Sequence, residues 1–205
     1  GLYAGASRAG FYALGQVDGD FFQNRVLRDE DAVGLTEATL GRFHAKGLTA
    51  RLEVGHAFDL APLRLTPFAA VQDSEIFQPS YHEIAAPGAD LFALGYQAQT
   101  VRSLKSDVGF ELEGDWRVAG VLTPYLRADW LHEFDPTREV TPYFSTFGSS
   151  PFTEIGASPA VSTARVETGF KWAITPRVTA YGSYVGNLGV NTEAAGAMVG
   201  VSVAW

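Results

Sequence analysis

Residues 47–72 read GLTARLEVGHAFDLAPLRLTPFAAVQ, and the parity of that stretch decides the fold. Leu48, Ala50, Leu52, Val54 and Phe58 share one parity, while Thr49, Arg51, Glu53 and Asp59 take the opposite face. Successive side chains of a strand point to opposite sides, so this period makes one face apolar and the other charged. The next run, LTPFAAV at Leu65–Val71, alternates again after a Thr-Pro pair. Pro has no N–H for a ladder, so it marks the first residue of a strand just past a turn. The whole stretch is a hairpin of two long amphipathic strands.

The phrase recurs at Leu122–Asp129 (LTPYLRAD) and Ile174–Tyr181 (ITPRVTAY), and each copy follows another alternating run. Between these tight hairpins lie longer polar segments at about 25–46, 77–102, 135–161 and 187–194, which read as irregular loops. The pattern predicts strands over 1–7, 10–24, 47–60, 65–77, 102–116, 121–134, 162–174, 175–186 and 195–205. Most reach the ~9–11 residues of a tilted membrane strand. No helical stripe survives the interruptions by Gly and Pro. Short turns at one end and long loops at the other are the asymmetry of an outer-membrane barrel.

Composition narrows the classes. The chain of 205 residues is 46% hydrophobic and 19% charged, with 22 Gly and 10 Pro, which suits many short strands and turns. No run approaches the ~18 apolar residues of a membrane helix. A barrel strand averages near neutral, and the mean hydropathy of +0.02 fits that as well as a soluble fold. Without Cys there is no disulfide frame, thiol nucleophile or Cys-bound metal. A net charge of −8 disfavours nucleic acid. The chain opens on Gly1 inside a strand, which reads as a fragment or a processed product.

The two faces then need a direction. In a soluble barrel the apolar face is the core, whereas in a membrane barrel it meets lipid and the charges line a wet bore. Trp116, Trp172 and Tyr184, with Trp205, fall near strand ends on the apolar face and read as membrane-interface aromatics. The opposite face supplies the candidate lumen residues Arg51, Glu53, Glu111, Arg127, Asp129, Glu133, Arg165, Glu167 and Lys171. Their mixed signs suit cross-strand ladders, and a passing polar chain would meet both.

Other constellations fail on spacing. Asp29, Asp31, Gly34 and Glu37 hint at a calcium loop, but Val33 and Leu40 occupy ligand positions of the EF-hand pattern. His132-Glu133 lacks the second His of a zinc motif. Ser183, within GSYVG, sits one place early for a nucleophile elbow. No catalytic, cofactor-binding or metal residue is assigned, no enzyme is expected, and no cofactor is implied.

Six phrases in order resemble the C-terminal translocator domain of autotransporters, the type V secretion family. They are GFYALGQVDGDFFQNRV (10–26), ARLEVGHAFDL (50–60), LTPFAAVQ (65–72), ALGYQAQTVRSLKSDVGFEL (93–112), LTPYLRADWLHEFD (122–135) and the alternating end at Ala197–Trp205. His56 stands where that family usually has Tyr, and Lys105 where Arg is common. The resemblance implies an all-β, antiparallel transmembrane barrel, an up-and-down meander of twelve strands preceded by a pore helix. About nine to ten strands are present here, so residues 1–205 are expected to be that barrel domain without its N-terminal strands and helix. It further implies a Gram-negative outer membrane, secretion or surface display of an N-terminal passenger, and contact of lumen residues with the passenger linker. Expected partners are outer-membrane lipid, the passenger and the barrel-assembly machinery, which would read Val199, Val201, Val203 and Trp205. The barrel is expected to be monomeric. A diffusion pore or anchor without passenger, and a soluble ligand-binding barrel, remain the alternatives.

Overall fold

The computed structural model describes every residue except 33–34, 86–90, 147, 149 and 191, and the side chains of 31–36 also fall outside the description. Gly34 of the acidic loop thus lies outside the described residues. Long strands alternate with short ones: β1 Leu2–Arg8, β2 Phe11–Ala32, β3 Leu35–His56, β4 Phe58–Leu60, β5 Leu63–Gln78, β6 Tyr81–Ala85, β7 Leu94–Tyr96 and β8 Gln99–Gly114. They continue with β9 Trp116–Arg117, β10 Val121–Glu133, β11 Glu139–Val140, β12 Pro142–Phe144, β13 Glu154–Ile155, β14 Ser162–Thr175, β15 Val178–Gly189 and β16 Thr192–Val203. No helix is assigned among the described residues.

The nine long strands β1, β2, β3, β5, β8, β10, β14, β15 and β16 pair in chain order, each antiparallel to the last. This is the meander expected from the sequence. Among the described residues, β1 pairs only with β2 and β16 only with β15.

Parity decides the faces. Leu52, Trp130 and Phe170 are exposed at 59%, 51% and 37%, whereas Asp107 and Asp129 of the opposite parity are exposed at 1% and 7%. Apolar side chains therefore face outward and charges face the concave side. Arg127 of β10 reaches Glu53 of β3 across the two strands between them. Neighbouring strands lie ~4.8 Å apart, so only a strongly curled sheet lets those side chains meet.

The Thr-Pro phrases act differently from their sequence reading. Pro67 and Pro124 lie inside β5 and β10, several residues past the hairpin tips. β3 stops at His56 and β4 resumes at Phe58 with the same register against β5, from Gly55↔Phe68 to Phe58↔Leu65. The gap lies opposite Pro67, which has no N–H to give. β8 and β9 are likewise one strand against β10, interrupted opposite Pro124, between Tyr125↔Glu113 and Leu122↔Trp116. Only Pro176 occupies a turn, where Thr175 Oγ1 accepts from the N–H groups of Arg177 and Val178 at 3.2 and 3.0 Å.

The long polar segments also differ from irregular loops. Residues 25–46 continue the β2–β3 ladder out to Ala32↔Leu35, a protruding hairpin. Residues 77–102 fold into β6 and β7, which extend the β3 edge, with β12 beyond them. β15 and β16 pair out to Gly189↔Thr192, so residues 187–189 and 192–194 are strand instead of loop. Polarity misled there because just beyond the apolar belt the outward face is polar, and the inward face of the β2–β3 extension packs through polar groups such as Glu37 and Thr39.

Register is locked by inward tyrosines lying on the glycine directly opposite: Tyr12 on Gly55, Tyr125 on Gly169, and Tyr181 on Gly200. Aromatic cover of a strand glycine both packs the ring and fixes the pairing. A Cβ at Gly169 would stand 2.5 Å from the Gly182 carbonyl oxygen and 2.8 Å from the Tyr125 ring. Gly169→Val is therefore expected to destabilise the sheet by about 1–3 kcal/mol, read as an earlier urea-unfolding midpoint of the barrel in lipid vesicles. An unchanged midpoint would contradict this packing.

Candidate functional site in the barrel lumen

The inward face gathers three arginines and four acids from four strands. Arg51 Nη2 donates to Glu53 Oε2 and to Asp107 Oδ2, each at 2.7 Å. Arg165, from β14, approaches the same Asp107 oxygen at 3.3 Å and Asp129 at 3.0 Å. Arg127 contacts Glu53 at 3.0 Å, Asp129 at 3.6 Å and Glu111 at 3.7 Å. The Arg127 guanidinium also lies 3.7 Å over the buried Phe68 ring, a cation–π contact. Tyr12 Oη donates to Glu53 Oε1 at 2.8 Å. Each buried acid is thus met by a guanidinium, as desolvated charges require.

The remaining expected lumen residues sit to either side. Glu133, at the loop end of β10, accepts from the backbone N–H groups of Leu104 and Asp135 at 3.1 Å and from the Ser103 hydroxyl at 2.5 Å. Arg138 and Lys105 approach it at 3.6 and 4.0 Å. Toward the turn end, Glu167 accepts from Tyr125 Oη at 2.7 Å. Lys171 lies opposite Tyr181 beside Ser183 and Thr179, apart from the network. The structure therefore joins Arg51, Glu53, Glu111, Arg127, Asp129 and Arg165 in one cluster, and leaves Glu133, Glu167 and Lys171 outside it.

Asp107, which bridges Arg51 to Arg165, is the residue that sequence reading missed. Its parity matches Glu111 four places on, and that signal was available in the run DVGFELEGDW. Phe68 and Tyr12 were missed because an aromatic on a polar face gives no charge signal.

A second cluster holds the loop end. Glu83, of β6, is buried and accepts from Arg28 Nη2 at 2.6 Å, Thr39 Oγ1 at 3.1 Å and the Leu94 N–H at 3.1 Å. Arg28 also contacts Glu30 and donates to the Phe92 carbonyl at 2.6 Å. Glu37 accepts from the N–H groups of Leu91 and Phe92 at 3.1 and 3.0 Å. These residues share the inward parity of the protruding hairpin, so residues 91–94 are clamped on its bore side. Phe43, Tyr81 and Tyr96 stack beside them with centroids 4.3 and 4.5 Å apart. Burial pushes the phenols of Tyr81 and Tyr96 above their ordinary range, and the nearby Glu83 carboxylate adds to the rise in both. Among the described residues no grouping of acids and histidines could hold a metal.

The aromatics divide. Trp116 sits at the turn end of β9, and Trp172 donates its indole N–H to the Val118 and Ala119 carbonyls of the adjacent turn at 3.2 and 3.3 Å. Tyr184 lies mid-strand, between Thr168 and Ala197, because β15 runs on to Gly189. Its sequence placement near a strand end is corrected accordingly. His56, where Tyr was expected, keeps a ring role between Phe11 and Phe58 at 4.2 and 4.4 Å.

An antiparallel meander with lipophilic exterior and paired charges inside defines a transmembrane β-barrel of the outer-membrane class. Residues 1–185 match the family model described as the Autotransporter beta-domain, and the chain belongs to that family. Among the curated proteins, no significant match is found. Membership implies an outer-membrane translocator role in a Gram-negative envelope, and a transport pore in place of an enzyme.

Asp107 bridges two guanidiniums at once, so its removal takes one acid contact from each and leaves Arg51 only Glu53 and Arg165 only Asp129. Asp107→Ala is expected to cost about 3 kcal/mol or more, and Asp107→Asn less, measured by urea unfolding of the vesicle-inserted barrel. A double-mutant cycle with Arg51→Ala should return a clear coupling; additivity of the two single changes would remove Asp107 from the centre of the network.

Proposed function

We propose that this domain is the outer-membrane pore through which an N-terminal passenger reaches the cell surface. The observation that carries the reading is the bore itself: guanidiniums and carboxylates lie inward and pair with one another. A surface already neutralised within itself offers hydrogen bonds to a sliding polypeptide without holding one charge sign fast. Family membership over residues 1–185 supports the same reading. Arg51, Glu53, Arg127, Asp129 and Arg165 are the residues that a passenger linker would touch, with Glu111, Glu133, Glu167 and Lys171 above and below them.

The terminal strand supports a second part of the proposal. Val199, Val201, Val203 and Trp205 form an exposed outward row at the free edge of β16. An unpaired edge can be recognised by strand addition, with side chains of alternate parity giving specificity. The barrel-assembly machinery is the partner proposed to read it, with outer-membrane lipid covering the rest of the exterior. The barrel is proposed to work as a monomer.

In intact Gram-negative cells, an epitope placed ahead of this domain in the full protein should be cut by external protease. Deleting the domain should abolish that cleavage, and an epitope still reaching the surface would refute the translocator role. Trp205→Asp places a charge on the lipid side, which costs up to a few kcal/mol according to depth. It should lower the yield of heat-modifiable barrel several-fold; an unchanged yield would show that the terminal aromatic is not read.

A further inference from the structure

The charges of the central bore network and of the loop clamp are paired, but one basic surface outside is not. Above the exposed Phe21 and Leu48, the outward face of the β2–β3 hairpin carries Lys46, His44, Arg42 and Arg25. Their direction follows from parity, since they alternate with the inward Ala45 and Phe43 in the same sense as Leu48 and Leu52. The register sets Arg25 directly opposite Arg42, His44 opposite Gln23, and Lys46 opposite Phe21. Like charges facing each other across a ladder are destabilising.

Among the described residues no acid relieves that opposition. All four side chains are exposed, and among the described residues none of them forms an ion pair. Between the Phe21 and Leu27 levels this face holds no acid at all. The neighbouring outward arginine, Arg102, contrasts with it, since Asp73 and Glu75 lie 2.6 and 4.0 Å away. A chain of net charge −8 thus keeps an unpartnered basic row where its apolar belt ends.

Beyond the row the face becomes apolar again. Leu27, Leu40 and Ile84 stand in one line across β2, β3 and β6, with Leu27 and Ile84 exposed. The surface is therefore layered, with the belt below, cations in the middle and a short apolar line above. An amphiphile with an anionic head matches that order. Two opposed guanidinium forks can share phosphate oxygens, which removes the repulsion and adds charge-assisted hydrogen bonds. Basic clusters beside a membrane segment bind anionic headgroups for the same reason.

We propose that Arg25, Arg42, His44 and Lys46 form a binding site for the phosphate groups of the glycolipid of the outer leaflet, whose acyl chains lie along Phe21 and Leu48. The site rests on the membrane reading above. The occupant is a phosphorylated lipid, not free phosphate, because the cations adjoin the apolar belt directly.

The test uses the full protein extracted from outer membranes in mild detergent, exchanged into micelles, and examined by native mass spectrometry with added lipid A. The expected result is retention of bisphosphorylated lipid A and about tenfold weaker retention of dephosphorylated lipid A, the scale of one or two lost charge-assisted contacts. Retention should fall as salt rises, since an exposed site is screened. Arg25→Gln/Arg42→Gln should lose the preference for phosphate, while Arg64→Gln at the opposite rim should keep it. Inorganic phosphate in millimolar excess should not displace the lipid. Equal retention of the two lipids by the unaltered protein, or displacement by free phosphate, would overturn the site, and neither readout depends on how well the variant folds. A protein showing no heat-modifiable band in any detergent would instead overturn the membrane reading.

Discussion

A charge turned into the bore of this sheet has to be met by an opposite charge from another strand, and that requirement shapes the molecule. Arg127 has Asp129 on its own strand and Glu111 directly opposite, and it also reaches Glu53 two strands beyond its neighbour. Arg51 and Arg165 meet on Asp107 from opposite sides. Such contacts draw the strands toward a common axis, and Phe68 is buried beneath the Arg127 guanidinium as a result. The outward residues gain nothing from this convergence. Leu52 and Trp130 remain exposed because their solvent is the hydrocarbon of the bilayer, which closes over apolar surface without needing a partner.

The loop end repeats the device at a smaller scale. Glu83 collects Arg28, Thr39 and the Leu94 N–H, while Glu37 collects two further backbone donors. Segments that would otherwise wander over the mouth are tied to the inner side of the protruding hairpin. In both places a buried carboxylate is the organising group. It accepts several donors in different directions, which an aliphatic contact of equal size cannot do. The inner surface is therefore ordered by polar geometry, and the outer surface by greasiness alone.

What the sequence could convey follows from that division. Parity was legible in runs such as ARLEVGHAFDL, because a period of two survives any curvature, and it placed seven of the nine long strands within a few residues, while β2 and β3 run well past their expected loop ends. The direction of the faces needed the aromatics and the family resemblance, since alternation is symmetric. The hairpin at residues 25–46 was hidden because its strands leave the apolar belt and lose their contrast between faces. Asp107 shows its inward parity in the sequence, but not its weight in the network. Its importance comes from which strands stand on either side of it, and a one-dimensional pattern holds no record of neighbours. Pro67 and Pro124 were correctly tied to hairpins but misplaced, because the break they cause falls on the partner strand, not on their own.

Among the described residues the outer edges of β1 and β16 have no strand partner. β1 and β16 are the first and last of nine antiparallel strands, so they run in the same direction. Joining them directly would require a parallel ladder in a sheet whose every other pairing is antiparallel. In hydrocarbon their edge N–H and C=O groups cannot stay unpaired, because water is absent to receive them. The edges of β1 and β16 therefore cannot satisfy each other within the antiparallel pattern that every other long strand of the sheet follows.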